Sequence, residues 1–424
     1  MNTIHRCALR GLLLSVSLTL APPALAQAGA CGEERDVSTG TLAEQTWKRM
    51  NQAYELVGEE QYDEALQIMQ QVRSRARESD SYLRAVVAQA VAQVYWSKGE
   101  YDKSLEEFEL AVELDALPDR QHYALMYQIA QLYYGKERYD EALDRLALWF
   151  CKVPEDQHIA AAYVLRASIY ANKEDWNQVI PAIEKAISME EDPKENWFAL
   201  KLAAHYQLEQ FPQAADTLEV MITLWPEKKT YWTQLSNTYY KLEQEDKALA
   251  TSALAYRKGL LDKQEDLIYL ANLYSMKDVP YKAAQVLQKG LDDGIIANEE
   301  KHWTMTGDSW YAAEEYDEAL AAFERSGEVA DEGKIDLRRA YILIDMERWD
   351  EATEALRAAI DKGGLKDRQT GEAYLMLGMS EFNRGNYDQA STAWGRASRF
   401  DGARAQAQQW MTHMKEERAR RAAS

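Results

Sequence analysis

WTMTGDSWYAAEEYDEALAAFE, residues 303–324, holds the pattern that decides the fold. Its inner part, EYDEAL at 315–320, returns as QYDEAL at 61–66 and RYDEAL at 138–143. A catalytic motif is normally built once, so repetition of this kind points to architecture. The aromatic of the motif, or the residue in its place, falls at Tyr62, Tyr101, Tyr139, Trp176, Phe211, Glu245, Pro280, Tyr316, Trp349 and Tyr387. Successive positions lie 33 to 39 residues apart, and three residues after each comes a small or β-branched side chain, such as Ala65, Ser104, Val179 or Ala319. A near-regular period of this size is the signature of stacked helix pairs.

The upstream half of each unit agrees. Six residues before the motif aromatic stands another at Tyr95, Tyr133, Tyr170, Tyr239, Tyr274 and Trp310. Tyr206 lies only five before Phe211, which reads as a one-residue deletion in the fifth unit. Three residues further back sit Ala92, Ala130, Ala167, Ser236, Ala271, Gly307 and Gly378. Small side chains there let two helices approach closely while aromatics fill the adjoining gaps. Gly58, Gly99, Gly135 and Gly385 serve as turn signals just before the motif, and Gly363-Gly364 as a linker between units nine and ten. Pro212 and Pro280 fall where a second helix begins and no amide donor is needed.

On these residues the chain resembles the tetratricopeptide repeat (TPR) family, with Trp303, Gly307, Ala319 and Phe323 at the consensus positions and the likeness running from about 40 to 400. The resemblance implies an all-α, right-handed superhelical solenoid of about ten helix-turn-helix repeats with a C-terminal capping helix. A narrower likeness rests on LALWFCKVPED (146–156), LWPEKKTYWTQLSNTYY (224–240), DVPYKAAQVLQKGL (278–291) and QQWMTHMKEE (408–417). These segments resemble exported TPR proteins that accompany TonB–ExbB–ExbD energy-transducing systems.

Residues 1–26 read as a secretory signal: Arg6 and Arg10, an apolar stretch over 11–21, Pro22-Pro23, then Ala24-Leu25-Ala26 as the cleavage site. The apolar run falls well short of the ~20 residues that span a bilayer, and no later segment is apolar enough to do so. A lipoprotein reading at Cys31 stays open, although Ala28-Gly29-Ala30 is a poor lipobox. The expected organisation is therefore signal peptide 1–26, N-terminal tail 27–40, repeat array 41–400, and capping helix with a basic end 401–424, located in the periplasm.

The formal charge is −21, and loss of Arg6 and Arg10 takes it to −23. So acidic a surface repels phosphate backbones and excludes nucleic acid as a natural partner. Enzyme chemistry finds no foothold, since the histidines sit singly and no metal-ligand spacing, nucleophile motif or glycine-rich phosphate loop occurs. No cofactor or metal is expected.

Two cysteines, Cys31 and Cys151, survive signal removal into an oxidising compartment. The ten residues from Cys31 to Thr41 reach roughly 33 Å when extended, enough for two or three helix pairs. Unpaired thiols are the alternative; the resembled group favours a Cys31–Cys151 bridge.

Aligned on the repeat consensus, Gln89, Gln93, Trp96, Tyr127, Gln131, Tyr134, Asn237, Tyr240, Asn272, Asp308, Tyr311 and Tyr341 line the concave surface of first helices. Asn237 and Asn272 hold equivalent places in successive units, and a side-chain amide pairs with both the donor and the acceptor of an extended backbone. Few Lys or Arg occur on this face, which argues against a carboxylate clamp. The expected role is a non-catalytic adaptor for an extended protein segment, with TonB, ExbD or an outer-membrane receptor as partner. An envelope assembly factor or chaperone is the rival. A weakly enzymatic accessory domain of a peptidoglycan or protease system is the other.

Overall fold

The computed structural model describes Arg35, Val37 and residues 40–423. Among these, every regular element is helical. By contacts the chain forms two compact units, 1–208 and 209–424. The first holds α1 (Glu44–Gly58), α2 (Tyr62–Arg75), α3 (Ser81–Lys98), α4 (Tyr101–Glu113), α5 (Asp119–Gly135), α6 (Tyr139–Lys152), α7 (Ala160–Asn172), α8 (Trp176–Ser188) and α9 (Glu195–Gln207). The second holds α10 (Phe211–Leu224), α11 (Lys229–Lys241), α12 (Glu245–Arg257), α13 (Gln264–Met276), α14 (Pro280–Asp292), α15 (Glu300–Ala312) and α16 (Tyr316–Val329). It continues with α17 (Lys334–Asp345), α18 (Trp349–Lys362), α19 (Asp367–Asn383), α20 (Tyr387–Ala397) and α21 (Asp401–Ala423). Each unit is a solenoid of stacked helical hairpins, and all ten motif positions named above are the first residue of a second helix.

The hairpins close where the sequence demands small side chains. Ser104 Oγ donates to the Ala92 carbonyl and Ser236 Oγ to the Ala248 carbonyl, both at 2.8 Å. A Cβ on Gly307 would stand 2.6 Å from the Phe323 ring, so the glycine is the space the phenyl fills. Ala65, Ala142, Val179, Ala214, Ala248, Ala283, Ala319, Ala352 and Ala390 are all fully buried.

The turns correct the sequence reading. The left-handed residue lies two before the second helix, and eight of these ten places hold an acid: Glu60, Glu137, Glu174, Glu209, Glu243, Asp278, Glu314 and Glu347. Only Gly99 and Gly385 fill it with glycine, whereas Gly58 and Gly135 are the last residues of α1 and α5. The next amide returns to the carbonyl five residues back, as from Glu100 to Tyr95 and Glu315 to Trp310, a Schellman closure. The fifth unit lacks no residue. Glu209 keeps the common offset from Phe211, and buried His205 takes the place of the aromatic six before it.

Consecutive hairpins are also stitched by charge. A cation in one turn pairs with the aspartate one residue into the preceding second helix: Lys98–Asp63 at 2.7 Å, Lys136–Asp102 at 2.6 Å, Lys277–Asp246 at 2.8 Å and Arg384–Asp350 at 2.5 Å. Lys173–Asp140 and Arg348–Asp317 follow the same rule. The last rung, Arg418–Asp388 at 3.4 Å, comes from α21, which lays Ala403, Ala407 and Met414 in the core beside Trp394. Each such surface pair contributes at most about 1 kcal/mol.

Candidate functional site: the face lined by first helices

In the first unit, α3 carries Gln89, Gln93 and Trp96, and α5 carries Tyr127, Gln131 and Tyr134. Gln93, Trp96 and Gln131 are exposed. Trp96 stands edge-on to Tyr101, with ring centroids 5.3 Å apart. Tyr127 leans on Trp149 at 5.9 Å, and the Tyr134 hydroxyl accepts from Asn172 Nδ2 at 3.1 Å. The last two are therefore half-buried joints between hairpins, with only part of each ring available.

In the second unit, α11 presents Asn237 and Tyr240, α13 Asn272, α15 Asp308 and Tyr311, and α17 Tyr341. Asn237, Tyr240, Asn272 and Tyr311 are exposed, the tyrosines by 45% and 43% of their surface. Asn237 edges a cavity of about 220 Å³ walled by Trp232, Ser236, Ser252 and Tyr269. Tyr240 meets the Tyr269 ring at 6.3 Å, and Tyr311 meets Tyr316 at 5.6 Å. Asp308 borders a larger cleft of about 820 Å³ with Ser275, Thr304, Met305 and Ile335. Its carboxylate pairs with Arg338, and burial still pushes its pKa upward against that pull. Tyr341 donates to Glu372 Oε2 at 3.2 Å, and burial pushes its phenol up to about 12. Asp308 and Tyr341 thus hold neighbouring helices, while the two asparagines and two tyrosines of α11, α13 and α15 stay exposed.

Sequence reasoning missed the docking of the stretch before α1. The Arg35 side chain is 5% exposed, its guanidinium reaching Asp115 and Asp119 at 2.6 Å each and the Leu117 carbonyl at 2.9 Å. No periodic signal marks it, because Arg35 lies outside the repeats. Cys151, half-buried at the end of α6, is disulfide-bonded. Cys31, its expected partner, and the signal at 1–26 lie outside the described residues.

Among the described residues, no group of three or more His, Cys, Asp or Glu is placed to hold a metal ion. No described helix is long and apolar enough to cross a membrane. Two of the histidines are held by hydrogen bonds in the packing: His158 bonds the Tyr163 hydroxyl and the Val153 carbonyl, and His302 Nδ1 the Ala297 carbonyl.

The geometry defines a class, the helical-hairpin repeat proteins. Within that class residues 337–409 and 87–116 match tetratricopeptide repeat family models, so the chain carries tetratricopeptide repeats. No curated protein matches the sequence. Among solved structures it is similar to the C-terminal part of a TPR repeat-containing protein from Cytophaga hutchinsonii: 14% identity, 66% of this chain, 97% of that one, TM-score 0.34. The TPR2AB domain of yeast Sti1, in complex with a pHSP90 partner, gives 17% identity over 64% of this chain and 99% of that one, TM-score 0.33. YrrB, described as a TPR protein with an unusual peptide-binding site, gives 18% identity over 47% and 100%, TM-score 0.33.

Proposed function

We propose that the protein is a non-catalytic scaffold whose first-helix face in the second unit holds an extended segment of another protein. The observation that carries this is the pairing of Asn237 with Asn272. Both are exposed, and they occupy the same place on α11 and α13 one repeat apart. Each amide offers one donor and one acceptor edge to a peptide backbone, so two in register form successive rungs. Tyr240 and Tyr311 add rigid amphipathic contact area beside them.

The finer form places the scaffold in the periplasm, assisting a TonB-type outer-membrane transport system through TonB, ExbD or a receptor. It is supported by the signal-like residues 1–26, by the likeness of segments 146–156, 224–240, 278–291 and 408–417, and by a formal charge of −21 that favours basic, proline-rich linkers.

The test is fluorescence anisotropy with labelled peptides from the periplasmic part of TonB and from ExbD. Asn237→Ala with Asn272→Ala should weaken binding at least about tenfold at unchanged melting temperature, from about 1 kcal/mol per lost amide pair. Equal binding by the double variant removes the rung model. Failure of both peptides to bind wild type removes the TonB assignment.

A further inference from the structure

Among the described residues Arg166 is a cation without a counter-charge, at a place where the fold elsewhere supplies one. It lies ten residues before Trp176, on α7. The same position is buried and apolar in other repeats, as Val91, Ile129, Leu235 and Leu270. Two further repeats put a cation there, Lys201 and Arg339, and both meet a carboxylate of the preceding second helix. Lys201 Nζ is 2.8 Å from Glu184 and Arg339 Nη2 is 2.6 Å from Glu324. Both glutamates stand eight residues after their motif aromatic, Trp176 and Tyr316. Eight residues after Tyr139 stands Ala147, and it is exposed.

The Arg166 guanidinium is therefore left against aromatic walls, 4.6 Å from the Phe150 ring centre and 5.1 Å from that of Tyr163. No hydrogen bond or ion pair joins it to a described residue. Burial lowers its pKa, a sign that it loses water without gaining an acid. In a chain with 70 acids against 49 basic residues, half-buried cations generally find carboxylates: Arg73 pairs with Glu107 and Arg145 with Glu109.

We propose that Arg166, with Phe150, Tyr163 and the open surface at Ala147, is a binding site for a carboxylate presented by a partner polypeptide. The ligand group takes the place that Glu184 and Glu324 fill internally one repeat and five repeats further on. A planar guanidinium fork grips a carboxylate by two parallel hydrogen bonds, and the rings exclude water from its flank. This site is in the first unit and independent of the Asn237 and Asn272 rungs, so failure of either leaves the other standing.

Arginine side-chain NMR on the full chain tests it, with the Arg166 Nε–H signal assigned by its loss in Arg166→Leu. N-acetylglutamic acid amide serves as side-chain probe, N-acetylalanine as chain-end probe, and N-acetylglutamine amide and inorganic phosphate as controls. A saturable shift with one or both carboxylates, absent with the glutamine analogue, is expected, and the probe that shifts it more names the source. Ala147→Glu should fill the site from within, raise the melting temperature and weaken the response at least about tenfold. Because this variant keeps Arg166, it serves even where Arg166→Leu misfolds. No shift up to about 100 mM probe, an equal shift with glutamine analogue or phosphate, or an unchanged response in Ala147→Glu overturns the assignment.

Discussion

Arg35 lies 80 residues before Asp115 in the sequence and 2.6 Å from it in space. The same guanidinium holds Asp119 and the Leu117 carbonyl, while Gly40 packs under Tyr82 and Leu42 joins the core of the first hairpins. The stretch ahead of α1 is thus fastened at the α4–α5 junction, two hairpins along from where α1 begins.

That anchor bears on the cysteines. From Arg35 back to Cys31 the chain reaches about 13 Å, enough for a ~10 Å step between packed helices, and Cys151 lies in the last turn of α6, the partner of α5. Non-reducing peptide mapping should recover a Cys31–Cys151 cross-link in exported protein that begins near Gln27. Closing so long a loop contributes roughly 3–5 kcal/mol, so dithiothreitol should lower the melting temperature. Free thiols, or a lipid on Cys31, would sink the pairing.

The same junction predicts acid sensitivity. His122 is buried, with Nδ1 lacking a hydrogen-bond partner 3.7 Å from Asp115, and burial aided by the Arg35 charge pushes its pKa down to about 4. Unfolded histidine titrates near about 6.5, so between these values the unfolded chain binds a proton that the folded chain refuses. This contribution to stability is complete above about pH 6.5 and is lost as pH falls toward 4. Melting curves across that window should flatten in His122→Phe relative to wild type. Equal slopes would show that the carboxylates alone set the acid limb.

Eight turns hold an acid in the left-handed region, which costs a residue with a Cβ roughly 1–2 kcal/mol. Glycine escapes that cost but loses some of the gain through unfolded-state entropy. Glu314→Gly should therefore stabilise by about 0.5–1 kcal/mol in urea unfolding, and Glu314→Val should destabilise. A destabilised glycine variant would mean that the carboxylate makes a contact outweighing its backbone strain.

Close packing supplies the opposite sign. Gly307→Ala drives a methyl into Phe323, and Ala319→Leu overfills a fully buried contact. Each should cost about 1–3 kcal/mol. Pairing Gly307→Ala with Phe323→Leu should recover part of the loss, because the two residues share one space. Purely additive losses would contradict that sharing.

Much of this was legible in the sequence, for physical reasons. A side chain that must be small between two helices, as at Gly307 or Ala319, leaves a mark at fixed spacing. So does the aromatic that opens each second helix. The left-handed glutamates escaped notice because nothing about an exposed acid announces its backbone angle, and glycine drew attention to Gly58 and Gly135 instead. The Arg35 anchor and the aromatic setting of Arg166 escaped for a different reason. Each depends on a residue from another repeat, or from none, and appears only when the hairpins are stacked. Among the candidate groove residues, the equivalent places of Asn237 and Asn272 were readable from the repeat spacing. The engagement of Tyr134, Asp308 and Tyr341 by neighbouring helices was not.

The charge rungs take their acid from one hairpin and their cation from the next. The second, third, ninth and tenth hairpins therefore carry half of two different rungs, as with Asp102 facing one way and Lys98 the other. The fifth, with Leu208 and Pro212 at these places, carries neither. Duplicating one of those four whole re-creates both halves in order, so the chain can lengthen by copying without new mutations to mend the joint. An insertion of one helix alone would strand a cation beside a cation. The stitching thus acts as a reading frame for the growth of the array, one that admits whole hairpins and rejects fractions of them.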